Sequence, residues 1–329
     1  MKAFDVIIIG GSYAGLSAAM ALGRSVRRVL VIDGGKPCNK QTPYSHNFIT
    51  QDGEKPDEIS RKAKEQVLKY ETVEFHIGVA VDGKKTENSY EITTEEGATF
   101  QANKLLFASG VKDLMPDIKG FSECWGISVI HCPYCHGYEV KKERTGILAN
   151  GGAAEHIAKL VLNLTKELTI FTNGKAAFTQ EQTDKLIQNK IQIVEKEIDS
   201  LQHENGKIQH IVFKDNSTFE LKALYARPAI EQCCKIPASL GCEITELGFI
   251  KVDMFQRATI PNIFACGDNT TFIRSVANAV GQGNLAGAAI NSVMTEEEYA
   301  IGQIHWNINI KLFQINKYWV VGVQIIIFY

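Results

Sequence analysis

Two closely spaced cysteines are the residues of this sequence best suited to chemistry. They lie in the segment His131-Cys-Pro-Tyr-Cys-His136. Two thiols separated by two residues can close a small, reducible disulfide, and this spacing tunes both the thiolate pKa and the redox potential. The flanking histidines can accept or donate a proton near neutral pH, and Glu139 can orient one of them. The pattern predicts a redox-active dithiol at Cys132 and Cys135.

Three other interpretations of this pair agree less well with the sequence. A zinc site needs a second pair of ligands at a suitable spacing, which Cys233, Cys234 and Cys242 do not provide, so no metal is expected. A glutaredoxin-like domain needs a β-α-β start before its motif, and residues 121–130 are too few for one. Two inert buried cysteines are not expected in a Cys-x-x-Cys motif beside nucleotide-binding units.

A glycine-rich turn near the N-terminus predicts the elements that position a cofactor. The predicted order is strand, turn, helix and strand, at Phe4–Ile9, Gly10–Gly15, Ala14–Leu22 and Arg28–Asp33. Gly10 allows the tight turn, and Gly15 lets the helix approach the strand, so that free N–H groups face a pyrophosphate. Ser12 replaces the middle glycine of G-x-G-x-x-G, and Asp33 is placed to accept from ribose hydroxyls. Taken alone, the turn also fits an unrelated α/β protein.

Two later segments support this first site. Leu105–Gly110 is an apolar strand that ends in small residues, and Thr259–Asp268 is a strand that ends in Gly-Asp. A helix rich in glycine and alanine is predicted over Asn278–Ile290. The first domain is therefore expected to be completed by the C-terminal part of the chain.

A second glycine-rich unit lies more than a hundred residues after the first. It comprises a strand with its turn, a helix and a strand, at Thr145–Gly152, Ala153–Leu164 and Leu168–Phe171. Ala149 replaces the first glycine, whereas Gly151 and Ala154 keep the rest of a G-x-G-x-x-A pattern. Lys175 is the one cation in Phe171–Lys175, so recognition of a 2′-phosphate by clustered arginines is not expected.

The predicted fold is α/β, with two Rossmann-like dinucleotide-binding domains that each carry a small antiparallel β insert. The insert strands are predicted at Glu74–Ala80, Ser89–Thr94 and Thr99–Phe107, and at Ile191–Glu197, Lys207–Lys214 and Thr218–Leu224. The predicted division is 1–115 for the first part of one domain, 116–243 for the inserted domain and 244–300 for the second part. Residues 301–329 are a C-terminal tail without an assigned role, whose last run, Val320–Tyr329, forms an extra strand or an appended tail.

Composition excludes several function classes. The chain has 329 residues and a formal net charge of −2, from 35 basic and 37 acidic side chains, so no charge excess predicts binding to nucleic acid. No signal peptide is recognised, and no run approaches the ~20 apolar residues of a membrane span. Eight cysteines without a secretion signal are typical of a cytoplasmic enzyme.

The three segments of the first domain, in this order, resemble the FAD domain of flavoproteins that have two dinucleotide-binding domains. The position of the cysteine pair, just before the second glycine-rich unit, is similar to the low-molecular-weight thioredoxin reductase family. Within it, Cys132-Pro-Tyr-Cys-His-Gly-Tyr-Glu139 resembles a thioredoxin-reductase-like subgroup that includes dithiol oxidases of the gliotoxin type. The resemblance covers about residues 1–300.

This resemblance implies FAD as the cofactor, with a discontinuous FAD domain and an inserted NAD(P)-type domain. In the family, the aspartate of Gly-Asp bonds the ribityl chain, and the next helix presents N–H groups to the flavin ring. The residues implied for FAD are Gly10, Ser12, Ala14, Gly15, Asp33, Gly34, Asn47, Ala108, Ser109, Gly110, Gly267, Asp268, Arg274, Ser275 and Val276. Gly151 and Ala154 are implied for NADPH or NADH.

The resemblance also implies separate roles for the cysteines. Cys135 is the sulfur next to the flavin, and Cys132 is the interchange thiol that attacks the outside disulfide. Thioredoxin reductases carry an acidic proton donor directly after the second cysteine; here His136 takes that role, helped by Glu139. Packing roles are expected for Cys38, Cys124, Cys234, Cys242 and Cys266.

Three functions follow from these expectations. In the first, which we favour, electrons pass from NAD(P)H through FAD and Cys132–Cys135 to thioredoxin or a small disulfide. In the second, a dithiol substrate reduces the pair and then FAD, and oxygen accepts the electrons. The third is a flavin-binding protein without turnover, which the intact cysteine pair disfavours. A homodimer is implied by resemblance, and neither a nucleic acid nor a membrane is expected as a partner.

Overall fold

The first part of the chain forms a parallel sheet with an antiparallel extension. The structure, a computed structural model, describes residues 3–317, with side chains for residues 3–302. Its elements up to residue 107 are β1 (Ala3–Ile9), α1 (Tyr13–Arg24), β2 (Val29–Asp33), α2 (Pro56–Val67), β3 (Val73–Ile77), β4 (Ala80–Lys85), β5 (Tyr90–Thr94) and β6 (Thr99–Phe107). The strand order is β3-β2-β1-β6-β5-β4, parallel from β3 to β6 and antiparallel from β6 to β4.

The middle of the chain forms a second parallel sheet. Its elements are β7 (Val111–Leu114), α3 (Phe121–Cys124), β8 (Val129–Ile130), α4 (Pro133–His136), β9 (Thr145–Leu148), α5 (Gly151–Val161), β10 (Leu168–Phe171), α6 (Gln180–Gln188), β11 (Gln192–Val194), β12 (Ile198–Glu204), β13 (Lys207–Phe213), β14 (Thr218–Glu220), β15 (Ala223–Ala226) and β16 (Ala229–Gln232). The order β11-β10-β9-β15-β8 is parallel throughout, and β12, β13 and β14 form an antiparallel meander.

The last part of the chain returns to the first sheet. It contains α7 (Ile236–Ser239), β17 (Ile263–Ala265) and α8 (Val276–Lys317). Strand β17 pairs with the end of β6. The two crossing strands, β7 and β16, lie where the chain leaves the first domain and where it returns, and they pair with each other. The predicted α/β fold, with one nucleotide-type domain inserted in the other, is confirmed.

Apolar sequence explains why the first sheet lies between layers of helices and loops. Residues Val6, Ile7 and Ile8 of β1 have no exposed surface, as expected for a parallel strand covered on both faces. Helices α1 and α8 pack closely through small residues: a side chain at Gly283 would collide with the main chain of Ala14. This contact places the start of α8 next to the first glycine-rich turn.

Both predicted antiparallel inserts were wrong in detail. Predicted strand Glu74–Ala80 contains most of β3, which is parallel to β2, and the unpredicted helix α2 makes that crossover. The meander is β4-β5-β6, in which Gly83 of β4 pairs with Ile92 of β5. In the second insert, Ile191–Glu197 and the end of Thr218–Leu224 belong to the parallel sheet as β11 and β15. A short apolar run does not distinguish a parallel strand from a meander strand.

The packing of residues 234–242 is relevant to the boundary at which the chain returns from the inserted domain to the first domain. Cys234, Ile236 and Cys242 pack in one apolar cluster with Phe4 and Ile7 of β1. We therefore propose that the returning part begins near residue 233, earlier than the 244 expected from sequence.

Helix α8 is much longer than the predicted Asn278–Ile290 and continues through the predicted boundary at 300 to Lys317. The proposed strand or tail at Val320–Tyr329 lies outside the described residues. Among the residues that are described, no helix is both long and apolar enough to cross a membrane.

Candidate functional site

Cys132 and Cys135 form a disulfide across the one-turn helix α4. Cys132 precedes the helix in an extended conformation, and its sulfur accepts a hydrogen bond of 3.1 Å from the Cys135 N–H. Pro133 occupies the first helical position, where no N–H partner is needed. The two Cα atoms are 5.3 Å apart, within the usual range for disulfides. The local sequence thus holds both sulfurs at the start of α4.

The disulfide lies against the segment that leads into α8. The sulfur of Cys135 is 4.0 Å from the main-chain oxygen of Arg274, two residues before α8 begins at Val276. The structure therefore brings Cys135 together with predicted FAD residues of the Gly267–Val276 segment. The role of Cys135 as the sulfur nearer the flavin stays a prediction.

His136, Glu139 and His46 form a titratable group on one side of α4. His46 Nε2 lies 3.6 Å from Glu139 Oε1, and His46 Nδ1 lies 3.7 Å from Asp52 Oδ1. Burial lowers the pKa of His136, while the Glu139 carboxylate acts in the opposite direction and His46 lowers it further. The proton on His136 therefore depends on the charges of both neighbours.

His131 flanks the disulfide on its other side and is held neutral. Burial, helped by the charge of Arg274, lowers the pKa of His131 to about 4. Its ring stacks on Trp125 at a centroid distance of 5.9 Å, and its Nε2 is buried without a hydrogen-bond partner among the described residues. At neutral pH the His131 ring is therefore uncharged.

The first glycine-rich turn leaves its helix free to bind an anion. Ser12 precedes α1 without a side-chain cap, and the first turn of α1 contains no acidic residue. Gly10 has a φ of +108°, and a side chain there would collide with the carbonyl of Ala108. Gly15 likewise packs on the Gly10 carbonyl. The free N–H groups and the helix dipole therefore fit a pyrophosphate.

The other predicted FAD residues surround this turn. The Asp33 carboxylate lies over Gly11 and accepts from the Gly35 N–H at 3.2 Å. Ser109 Oγ is buried and has no hydrogen-bond partner in the described part of the chain. The Gly267 N–H donates to Gln282 of α8 at 2.7 Å, and the Asp268 carboxylate accepts from Arg274 Nε at 3.2 Å. The free N–H groups of an uncapped helix, an unpartnered hydroxyl and two carboxylate acceptors together fit a flavin dinucleotide.

The remaining predicted FAD residues have local roles. Asn47 adopts a left-handed φ of +59°, and its N–H donates to Asp52 at 2.7 Å. Ser275 Oγ accepts from the Asn278 N–H at 3.2 Å at the start of α8. The other positions lie at the ends of β2 and β6 and at the starts of α1 and α8: Gly34, Ala108, Gly110, Ala14 and Val276.

The second glycine-rich turn is bonded to its own chain. Asn150 Oδ1 accepts from the N–H groups of Gly151 at 2.9 Å and Ala177 at 2.8 Å, and Asn150 Nδ2 donates to the Lys175 carbonyl at 2.9 Å. The predicted residues Gly151 and Ala154 lie on α5 of the second sheet. This turn has the predicted path, but one of its anion-binding donors is already occupied.

Sequence reasoning missed four residues of the site. His46 and Asp113 lie in segments without a motif, and Gln282 lies in the predicted helix 278–290; each contacts a predicted residue only through the tertiary fold. Cys38, assigned to packing, has its sulfur 3.7 Å from Asp268 Oδ2. No local pattern identified them, and for His46, Asp113 and Cys38 the contacted residue lies far away in the sequence.

Comparison with known proteins agrees with this geometry. The sequence profile of the pyridine nucleotide-disulphide oxidoreductases matches residues 4–283. The chain is 34% identical over 300 residues to the thioredoxin reductase tcpT of Claviceps purpurea, covering 86% of this chain and 92% of that one. It is 24% identical to a thioredoxin reductase of Bacillus subtilis, covering 90% and 96% of the two chains.

Solved structures give the same result. An oxidoreductase from Agrobacterium tumefaciens superimposes with a TM-score of 0.84 at 35% identity, covering 89% of this chain and 99% of that one. HlmI superimposes with a TM-score of 0.87 at 26% identity, covering 94% and 98%. The chain therefore belongs to the pyridine nucleotide-disulphide oxidoreductase family and is a flavin-dependent disulfide oxidoreductase of the thioredoxin reductase type.

Proposed function

We propose that the chain passes electrons from a nicotinamide nucleotide through FAD to Cys132–Cys135, and from there to a thioredoxin-like protein or a small disulfide. The observation that carries this proposal is the contact between the disulfide and the segment after Gly267-Asp268. Cys135 Sγ lies 4.0 Å from the Arg274 carbonyl, next to the residues that fit a flavin. When bound, FAD supplies the two electrons that open the disulfide.

The chain's own residues then perform thiol–disulfide exchange. The Cys132 thiolate attacks one sulfur of the substrate disulfide, forming a mixed disulfide and releasing one thiolate, which His136 protonates. The Cys135 thiolate attacks Cys132 Sγ, re-forms the intramolecular disulfide and releases the second half of the substrate as a thiolate. The exposed rings of Tyr134 and Tyr138 on this segment offer apolar contacts to the substrate.

We propose NADH, in preference to NADPH, as the donor. Recognition of a 2′-phosphate uses arginines, whose planar guanidinium groups match phosphate geometry. In the loop after β10, residues 172–179, Lys175 is the one cationic side chain. The N–H of Gly151 is partly occupied by Asn150, which weakens but does not remove the anion site at α5.

The same bond favours a second candidate function, oxidation of a dithiol. If the second turn binds no nucleotide, electrons enter through the cysteines: a substrate dithiol loses two electrons and two protons and becomes a disulfide. Molecular oxygen then accepts the electrons and protons and forms hydrogen peroxide. Glu139 and His136 would serve as the base in this direction.

Anaerobic mixing of the holoprotein with NADH, and separately with NADPH, tests the proposal. The proposed function predicts that near-stoichiometric NADH bleaches the flavin absorbance, and that NADPH does so less effectively. If neither nucleotide bleaches the flavin, and a dithiol does so with oxygen uptake on aeration, the oxidase is the function.

We also propose a cytoplasmic homodimer. Cys38, Cys124, Cys233, Cys234, Cys242 and Cys266 are not disulfide-bonded, which is typical of a reducing compartment. Exposed apolar side chains on α8, at Leu285, Tyr299 and Ile301, support contact with a second copy. Light scattering coupled to size-exclusion chromatography measures the mass and distinguishes monomer from dimer.

A further inference from the structure

Arg274 has a side chain that lies between two carboxylates from distant parts of the chain. Its Nη1 and Nη2 donate to the two oxygens of Asp113 at 2.6 and 3.1 Å, and its Nε donates to Asp268 at 3.2 Å. Asp113 belongs to the crossing strand β7, whereas Asp268 belongs to the segment before α8. Side-chain exposure is 11% for Arg274 and 6% for Asp113. The ion pair is therefore largely shielded from water.

The main chain of Arg274 contacts the redox segment on both sides of Cys132. Its carbonyl oxygen is 4.0 Å from Cys135 Sγ and also faces the ring of His131. One residue therefore connects the crossing strand, the Gly-Asp segment and the disulfide.

Charge and geometry make Asp113 the partner that fixes this residue. Burial opposes the charge of Arg274, but its bonds to Asp113 and Asp268 outweigh that effect and raise its pKa. A bidentate Arg–carboxylate pair fixes both the position and the orientation of the guanidinium plane, whereas a single hydrogen bond permits the guanidinium to rotate. Asp113 supplies the bidentate contact, and Asp268 supplies the single one.

We propose that Asp113 is a positioning residue for the redox disulfide: by its two bonds to Arg274 it holds the Arg274 carbonyl against Cys135, and so sets that sulfur relative to the flavin site. This inference rests on the flavin-linked disulfide chemistry of the proposed function. It does not depend on which nucleotide, if any, donates electrons.

The same strand provides a matched control. Lys112, the neighbour of Asp113 on β7, pairs with Glu231 of β16 at 3.2 Å, and these side chains are 68% and 48% exposed. Lys112→Gln removes an ion pair between the same two crossing strands without altering a contact to Arg274. It is expected to behave as the parent protein.

The test uses the thiolate–flavin charge-transfer band of the holoprotein with Cys132→Ser, measured for all variants at pH 9, above the ordinary pKa of about 8.5 for a thiol. Cys132→Ser is expected to leave this band and Cys135→Ser to abolish it; the reverse would exchange the roles of the two cysteines. Adding Asp113→Asn to Cys132→Ser is expected to reduce the band at least about twofold at unchanged FAD content. Asp113→Glu, which keeps the charge but lengthens the side chain, is expected to reduce it less.

A second measurement uses no flavin chemistry. Equilibration of the parent cysteines with thiol–disulfide buffers gives the reduction equilibrium of Cys132–Cys135, which Asp113→Asn is expected to change several-fold and Lys112→Gln to leave unchanged. An unchanged band and equilibrium in both Asp113 variants would overturn the proposal. A loss of band that only follows loss of FAD would also overturn it, because Asp113 would then act through cofactor retention. Failure of NADH and NADPH to reduce the flavin affects neither measurement.

Discussion

The two glycine-rich turns begin helices of similar form but leave different backbone groups for a ligand. At the first turn, Ser12 gives α1 no side-chain cap, so its first N–H groups face the site. At the second turn, Asn150 accepts from the Gly151 N–H at 2.9 Å and bonds the loop at Lys175. A glycine pattern specifies the path of the backbone, whereas the side chain at a variable position decides whether the donors remain available.

Alanine substitution of one glycine in each turn should give the largest difference between the turns. Gly10→Ala places a Cβ against the Ala108 carbonyl at a φ of +108°, which is expected to cost about 3 kcal/mol of stability and most of the bound FAD. Gly151→Ala, at a φ of +57° with 3.1 Å to the Ala177 oxygen, is expected to cost about 1–2 kcal/mol and to keep FAD. Urea unfolding and FAD absorbance per chain measure both. Equal loss of FAD would contradict the contrast.

Asn150→Ala should make the second turn more like the first. Losing the cap is expected to cost about 1 kcal/mol of stability, but it frees the Gly151 N–H for a phosphate. NADH binding is then expected to strengthen by about 1 kcal/mol, or about fivefold. Titration of NADH against flavin or protein fluorescence measures this affinity.

Asn189→Ala is the matched control for this change. Asn189 follows the last residue of α6, and its side chain donates to the Lys185 carbonyl at 2.8 Å. This substitution should cost stability without altering NADH affinity. Weaker NADH binding in Asn150→Ala would show that Asn150 itself contacts the nucleotide.

The smallest expected effect is a shift in the pH dependence of thiol–disulfide exchange, caused by the charges of Glu139 and His46 near His136. The proposed proton donation by His136 requires its protonated form, so it is present below the pKa of His136 and is lost as pH rises above it. Glu139→Gln removes the charge that raises the pKa of His136, and His46→Gln removes one that lowers it. Exchange with a model disulfide should therefore fail at lower pH in Glu139→Gln and at higher pH in His46→Gln. Equal loss of rate at every pH would assign both residues a structural role.

The sequence was sufficient for the parallel strands β1, β2, β9 and β10, for both turns and for the cysteine pair, since local spacing carries their physical signal. Gly10, Cys132 and Cys135 are recognisable because the turn and the disulfide need those residue types at that spacing. The sequence did not predict α2. Without this helix to connect β2 to a parallel neighbour, the residues of β3 were interpreted as a meander strand. The helix is strongly polar outside a few buried positions such as Ile59 and Val67, so its apolar stripe is narrow.

The residues that hold the site from a distance were not predictable in the same way. Asp113 reaches Arg274 across 161 positions, and His46 reaches Glu139 only where two loops meet. Neither side chain belongs to a local pattern, and both are ordinary polar residues when only their neighbours in sequence are considered. Their contribution depends on burial and pairing, which exist only in the folded chain.

The late pairing of β17 has a consequence for synthesis on the ribosome. Residues Leu105–Phe107 of β6 receive this neighbour from Ile263–Ala265, so one edge of the first sheet stays unpaired while more than 150 residues are translated. The inserted sheet, whose strands all lie between β8 and β15, is complete by residue 226. It can therefore fold first, as a unit, beside an unfinished partner. The incomplete edge of β6 is the part of the nascent chain most exposed to incorrect pairing.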